Sequence, residues 1–319
     1  MTDGGAVERA VVMIATFRRP EGLARALSSL AGQRGAEAVA VVVNNDPGDA
    51  APRAVAAGAE SEGLRVVLAD EPERGISAAR NRALALGLAE AERTGARFLA
   101  IIDDDETAPP DWLATMIGAA DRLAVPIVTG ANEHRFTHDP PAWVGESGLF
   151  ERRSMPTGTR MPWAFTNNVL VRTEAMRSFA ERERAAGREV FDRRLGRVGG
   201  SDRHLFMRMR RAGHEIAWCD ETATVEWNGP DRTDPAWIVR RKGRQGRSFA
   251  FTTRDVNPGV RTTLSELGRA GVSLTQGAAM RAASVIAGEG AKVRARVRLA
   301  WGWGVLAGCF GKLREGYGS

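Results

Sequence analysis

Cysteine is scarce in this chain. Cys219 and Cys309 are its only two among 319 residues, too few for a disulfide framework and without the paired spacing of a zinc site. A small cross-linked secreted fold is thereby excluded, and a reducing cytoplasm is the default compartment. Both thiols read as buried packing groups. The first nine residues are polar and run straight into an apolar strand, with neither the basic nor the apolar segment of a secretory signal. Long apolar runs are missing too. The longest, residues 299–310, is about 12 residues against the roughly 20 that span a bilayer, so it is expected at an interface or in a core. Glycine is absent from residues 15–20, behind the first apolar strand, which removes the phosphate loop that a nicotinamide-dependent dehydrogenase requires.

Acidic residues thin out toward the end. From Arg240 onward there are 15 Lys/Arg and 4 Asp/Glu, a net +11 in a chain of net +6, so residues 1–239 carry −5. Such asymmetry points to an anionic partner for the tail, a nucleic acid or the inner leaflet of a membrane. Elsewhere, 43% hydrophobic residues are ample for a core. In the first half, short β-branched runs at residues 10–15, 39–43, 64–69 and 98–102 alternate with helical patterns, the signature of a parallel sheet with crossover helices. Residues 21–33 put Leu23, Ala26, Leu27 and Leu30 on one face, and residues 75–93 do likewise with Ile76, Ala79, Ala83, Leu84 and Leu88. Continuous apolar strands fit burial on both faces. Ligands bind such sheets beyond the carboxyl ends of the strands, which directs attention to residues 16–19, 44–49, 70–74 and 103–106.

Further on, a helix is expected over 112–123, a strand near 127–130, and a Pro- and Gly-rich loop region over 134–162. A strand over 166–172, a charged helix through 181–188, a helix from Ser201 or Asp202 to about Gly213 and two short strands at 215–219 and 224–227 follow. The remainder, from about Asp234, reads as helical and basic.

Asp103, Asp104, Asp105 and Glu106 directly follow an apolar strand. Carboxylates so crowded repel unless a hard divalent cation, Mg²⁺ or Mn²⁺, holds them. His134 and His138 have helical metal-site spacing, but Pro140 and Pro141 argue against a helix there.

Five segments, in order, resemble the family 2 glycosyltransferases: VVMIATFRRP (residues 11–20), VVVNND (41–46), RGISAARN (74–81), IDDDE (102–106) and GGSDRHLFMRM (199–209). Residues 141–171 further resemble the branch that builds succinoglycan-type exopolysaccharides. The resemblance implies an α/β chain with the GT-A nucleotide-diphospho-sugar transferase fold, a Rossmann-like, mostly parallel sheet flanked by helices, ending in a basic helical extension. Residues 1–240 would be the catalytic domain, with a nucleotide-sugar half to about 131 and an acceptor half over 132–240, and 241–319 the extension.

The same resemblance implies roles. Thr16, Arg18, Asn44, Asn45, Asp46, Gly75, Arg80, Asp103 and Asp104 would bind the donor, and Asp103 and Asp105 the Mn²⁺ or Mg²⁺. The family usually ends its second strand in aspartate; Asn44 and Asn45 stand here, with Asp46 beyond, and an amide accommodates uracil, thymine or guanine. Asp202 matches the catalytic base, although an aspartate there also serves as a helix cap. Where the family has Glu-Asp this chain has Ser201-Asp202. Trp163, Asn167 and Asn168 suit an acceptor sugar. The expected activity is inverting transfer from a nucleoside-diphosphate sugar to a saccharide acceptor, lipid-linked, at the cytoplasmic face of the membrane. The basic tail, with Trp301 and Trp303, would touch that membrane; no nucleic acid is expected and an oligomer is left open. The rival readings are a nucleotidyltransferase that makes nucleotide sugars and a non-enzymatic module that binds an anionic surface or nucleic acid.

Overall fold

A computed structural model describes residues 7–311. Among them, one sheet contains β1 (Glu8–Thr16), β2 (Ala36–Asn44), β3 (Arg65–Asp70), β4 (Phe98–Ile101), β5 (Glu106–Thr107), β6 (Ile127–Phe136), β7 (Val169–Arg172) and β8 (Ile216–Asn228), in the order β3-β2-β1-β4-β7-β6-β8-β5. The first four are parallel. From β4 to β7 the direction reverses, and β6–β7 and β5–β8 pair antiparallel.

Strict alternation explains why the early strands are apolar throughout. Val11, Met13, Val39, Val41, Val43, Leu99 and Ile101 face one layer, with Ala79, Ala83 and Leu84 of α3 (Ile76–Thr94). Val12, Ile14, Ala40, Val42, Phe98 and Ala100 face the other, with Leu23, Leu27 and Leu30 of α1 (Pro20–Ala31) and Trp112, Leu113 and Met116 of α4 (Trp112–Arg122). Each Val, Leu, Ile, Phe or Met among them, fully buried, contributes about 1.5–3 kcal/mol of transfer free energy. The expected α/β order is therefore present, with α2 (Ala51–Ser61) between β2 and β3.

The later elements depart from expectation. The two short strands expected near residues 215–227 are one 13-residue strand, β8, because Asp220 and Glu221 are held by Ser154, Trp218, Thr157 and Arg122 and do not turn the chain. The helix expected at 181–188 is α6 (Thr173–Ala185), which starts earlier to bury Met176 and Phe179. The loop region over 134–162 contains the end of β6 and a short helix, α5 (Ala142–Ser147). α7 (Ser201–Arg211) ends as expected, with Gly213 at a φ of 98°.

By packing, the described residues divide into two units. One takes everything up to Glu133 with Arg152–Arg193 and Leu205–Trp227; the other takes His134–Glu151, Arg194–His204 and the chain from Asn228. The second unit holds α8 (Pro235–Val256), α9 (Val260–Ala283) and α10 (Glu289–Phe310). Asp234 caps α8 by accepting the N–H groups of Ala236 and Trp237, at 2.9 and 3.1 Å. α10 lies so close to α8 that a Cβ at Gly304 would run into the Gly243 carbonyl, and one at Gly246 into that of Trp301. Residues 299–310 thus contribute to the core of the bundle: Gly302, Gly304, Val305, Gly308 and Cys309 are buried. Trp301 packs on Phe249, ring centroids 5.6 Å apart, and only Trp303 and Phe310 of the aromatic groups in this run are exposed. Cys219 and Cys309 are both buried. No helix among the described residues is long and apolar enough to cross a membrane.

Candidate active site

The parallel register aligns Thr16, Asn44 and Asp70 at the carboxyl ends of β1, β2 and β3. Three aspartates follow β4, and they are not equivalent. Asp104 is buried and faces β1: its Oδ2 accepts the Thr16 hydroxyl at 2.9 Å and the Phe17 N–H at 3.3 Å, and its Oδ1 accepts Arg19 at 3.1 Å. Burial pushes its pKa up to about 6, against the opposing pull of Arg19. Asp103 and Asp105 flank it with side chains 39% and 14% exposed, the first paired to Arg80 of α3 at 2.8 Å, the second to Arg19 at 2.7 Å. α1 closes on the same loop, where a Cβ at Gly22 would strike the Asp104 carbonyl oxygen.

Glu106 supports the loop from behind. Its Oε2 accepts the Asp103 N–H at 3.0 Å and its Oε1 accepts Asn132 at 2.6 Å, while β5 sets it opposite Glu226. Full burial, reinforced by the charge of Asp103, holds its pKa well above the usual carboxylate range.

The second strand end is organised by amides. Asn44 donates to the carbonyls of Asp46 (2.9 Å) and Asp49 (3.1 Å) and to Asp70 Oδ1 (3.0 Å), and accepts the Asp46 N–H. Asn45 donates to the carbonyls of Glu71 (2.9 Å) and Glu73 (2.7 Å) and accepts the Gly75 N–H (2.9 Å). These two side chains therefore hold the loops after β2 and β3 together. Asp46 pairs with Arg18 at 2.5 Å, and this hydrogen bond holds the Asp46 carboxyl below its ordinary pKa. Arg18 adopts a φ of 55°, a left-handed conformation that costs a non-glycine residue of order 1–3 kcal/mol. Its guanidinium and that of Arg74 approach the Phe17 ring at 5.1 and 4.7 Å.

Asp202 lies in the first turn of α7, in the second unit. The turn is entered through Gly199 and Gly200, with φ of 85° and 90°, and the Gly200 carbonyl accepts the first helical bond from His204. Its neighbours clamp it to α8. Buried Arg203 donates to the Phe249 carbonyl (3.2 Å) and to the hydroxyls of Thr252 and Thr253, with its guanidinium 3.9 Å from the Phe249 ring centre. His204 Nε2 meets Asp255 at 2.9 Å.

Trp163 is half-buried against the first core layer and Asn167 partly exposed. Asn168 is fully buried: its Oδ1 accepts the Trp112 indole N–H at 2.9 Å and its Nδ2 donates to the Ala131 carbonyl at 2.7 Å, so its amide joins β6 to β7. Next to them Phe165 is 44% exposed. His134 lies in β6 against Asn228, and His138 is 3.0 Å from Thr233.

Residues 11–182 match glycosyl transferase family 2. The chain belongs to that family. It is 29% identical over 254 residues to the succinoglycan biosynthesis protein ExoM of Rhizobium meliloti (strain 1021), covering 78% of this chain and 76% of that one. In fold it is similar to S. aureus TarS 1-349 solved with UDP, at a TM-score of 0.51 and 14% identity, over 93% of this chain and 89% of that one. It is also similar to the mannosyltransferase PcManGT from Pyrobaculum calidifontis, solved with GDP-Man and Mn²⁺, at 0.57 and 19%, over 97% and 89%. The fold is thus the GT-A fold, and the chain is a glycosyltransferase.

Sequence reasoning assigns no role to Arg19, Arg74 or Arg203, and reads Glu106 only as a member of the acidic cluster. All four lie inside the family segments, beside residues assigned by pattern, but the partners of Arg203, fifty residues away, are visible only in the structure.

Proposed function

We propose that this family 2 glycosyltransferase moves a sugar from a nucleoside-diphosphate sugar to a saccharide acceptor, lipid-linked, in exopolysaccharide assembly, by a single inverting displacement. The observation that carries the donor reading is the convergence of Thr16, Arg80 and Asp103–Asp105 on one rim of the parallel strands, within a chain of this family. Arg18, Asp46, Gly75 and the loops braced by Asn44 and Asn45 form the nucleoside end. Asp103 and Asp105 keep carboxylate oxygens partly exposed while Asp104 is engaged by β1, and this all-oxygen donor set fits Mn²⁺ or Mg²⁺; PcManGT was solved with Mn²⁺. A divalent cation bound there supplies charge stabilisation to the departing diphosphate.

Asp202 takes the proton from the acceptor hydroxyl as that oxygen forms its bond to the anomeric carbon and the bond to the diphosphate oxygen breaks. Trp163 and Asn167 receive the acceptor ring, with Asn168 shaping the strand beneath. The working place is the cytoplasmic face of the membrane, reached through the basic C-terminal helices. The test is a thermal-shift screen of nucleoside diphosphates with Mn²⁺ or Mg²⁺, followed by radiolabel transfer from a panel of nucleotide sugars. A metal-dependent shift with one base and transfer of its sugar is expected; a shift with none, or nucleotide release without transfer to any saccharide, would refute the reading.

A further inference from the structure

The tail was expected to meet a membrane through residues 299–310, but Gly302, Gly304, Val305, Gly308 and Cys309 of that run are packed inside the helix bundle, with Trp303 and Phe310 left exposed. Among the described residues of the tail, most of the exposed large apolar side chains lie on α9 and the turn after it. Val260, Leu264 and Val272 are 75%, 61% and 53% exposed, and Val285 and Ile286 are 72% and 97% exposed. At about 100° per residue, Val260, Leu264 and Val272 fall within an arc of about 120° on α9. Glycine, alanine and a single threonine fill most of the rest of that arc, so it is apolar along a helix of about 36 Å. The opposite face, with Glu266, Ala270, Ser273 and Gly277, is the one buried in the bundle.

The exposed charges of α9 itself are of one sign. Arg281 and Arg269 border the arc on its two sides and Arg261 lies within it near one end, all three exposed. Glu266 is the sole acid in residues 260–288, and it is buried on the far side, 3.4 Å from Arg269. Within residues 260–288 no exposed carboxylate repels an anionic surface; the exposed Glu289 that opens α10 lies just beyond. An apolar stripe edged by arginines is the form of a helix that lies in the plane of a bilayer interface, its apolar chains among the acyl groups and its guanidinium groups at the phosphates.

We propose that the outer face of α9, continued by Val285 and Ile286, is the surface by which the enzyme docks on an anionic lipid bilayer. This rests on the membrane-facing role given to the tail above and moves it from α10 to α9. The experiment is co-sedimentation of the full chain with vesicles of phosphatidylcholine containing phosphatidylglycerol, comparing the unaltered protein with a Leu264→Glu/Ile286→Glu variant and a Trp303→Ala variant. The unaltered protein and Trp303→Ala should bind, more weakly as salt rises, and the double variant should lose at least about tenfold in partitioning. Its nucleoside-diphosphate thermal shift should be unchanged, which excludes misfolding as the cause. Binding by the double variant equal to that of the unaltered protein would overturn the α9 face alone. No binding by any of the three would overturn the membrane role as well. A dimer by light scattering that the double variant disrupts, without vesicle binding, would assign the face to a second copy instead.

Discussion

The strand-end loops of the first unit and the three-helix bundle of the second are ordered by opposite means. At the rim, segments distant in sequence are tied by polar brackets: Thr16 to Asp104, Asn45 to Glu71, Glu73 and Gly75, Arg80 to Asp103. In the bundle, helices are joined by backbone-to-backbone proximity at Gly246, Gly304 and Gly308, where any Cβ is excluded. The difference teaches where each region is fragile. A bracket fails when an acceptor is lost, since a buried donor is then stranded at about 1–3 kcal/mol, whereas the bundle fails when volume is added. The polar brackets also leave charge available at the rim for chemistry.

The largest effects should separate function from fold at the rim. Asp103→Asn and Asp105→Asn are expected to abolish transfer and metal-dependent nucleoside-diphosphate binding with little change in melting temperature, measured by radiolabel transfer and calorimetry. Asp202→Asn should lower turnover by roughly two to four orders of magnitude while donor affinity is kept. Its stability should change by less than about 1 kcal/mol, the interaction of one carboxylate with a helix N-terminus; near-normal turnover would show that Asp202 is only structural.

Stability changes should run the other way. Gly304→Leu should destabilise the bundle by about 1–3 kcal/mol or more, seen as hydrogen exchange increased across α8 and α10, with nucleoside-diphosphate binding retained. Asp104→Ala, which strands the Thr16 hydroxyl and the Phe17 N–H, should cost about 2 kcal/mol in chemical denaturation, whereas Asp103→Ala should cost much less. If the two cost the same, the middle aspartate is not the bracket.

The smallest effect concerns acid. Hydrogen bonds from Arg93 and Arg65 hold Glu90 down to a pKa of about 2 despite its burial. A carboxyl with a depressed folded-state pKa stabilises the fold above its unfolded value, near 4.5, and loses that contribution as pH falls toward about 2. Glu90→Gln should therefore flatten the stability profile within that window and leave pH 7 activity unchanged.

Much of the first half was legible from the sequence because its determinants are local. Apolar strands and three- and four-residue helical spacing require no knowledge of distant partners, and they located β1 to β4, α1, α3 and α4 within a few residues. The first four family segments likewise marked the rim, since each lies at a strand end or a helix start, and the fifth marked the start of α7. Reading failed where a residue's partner is remote or where polarity misleads. Asp220 and Glu221 resemble a turn until Ser154, Thr157 and Arg122 are placed beside them, and β8 then continues unbroken.

By itself, then, the sequence determined the α/β alternation, the family, and the presence of a carboxylate cluster after β4, all consequences of short-range pattern. Tertiary structure alone decided which member does what. It turned Asp104 inward to Thr16 across 88 residues, buried Asn168 against Trp112, fixed the Asp202 turn to α8 through Arg203, and drew residues 299–310 into a bundle whose outer apolar face is α9. The reason is physical: burial and long-range hydrogen bonding depend on which surfaces meet, and periodicity reports only which surfaces exist.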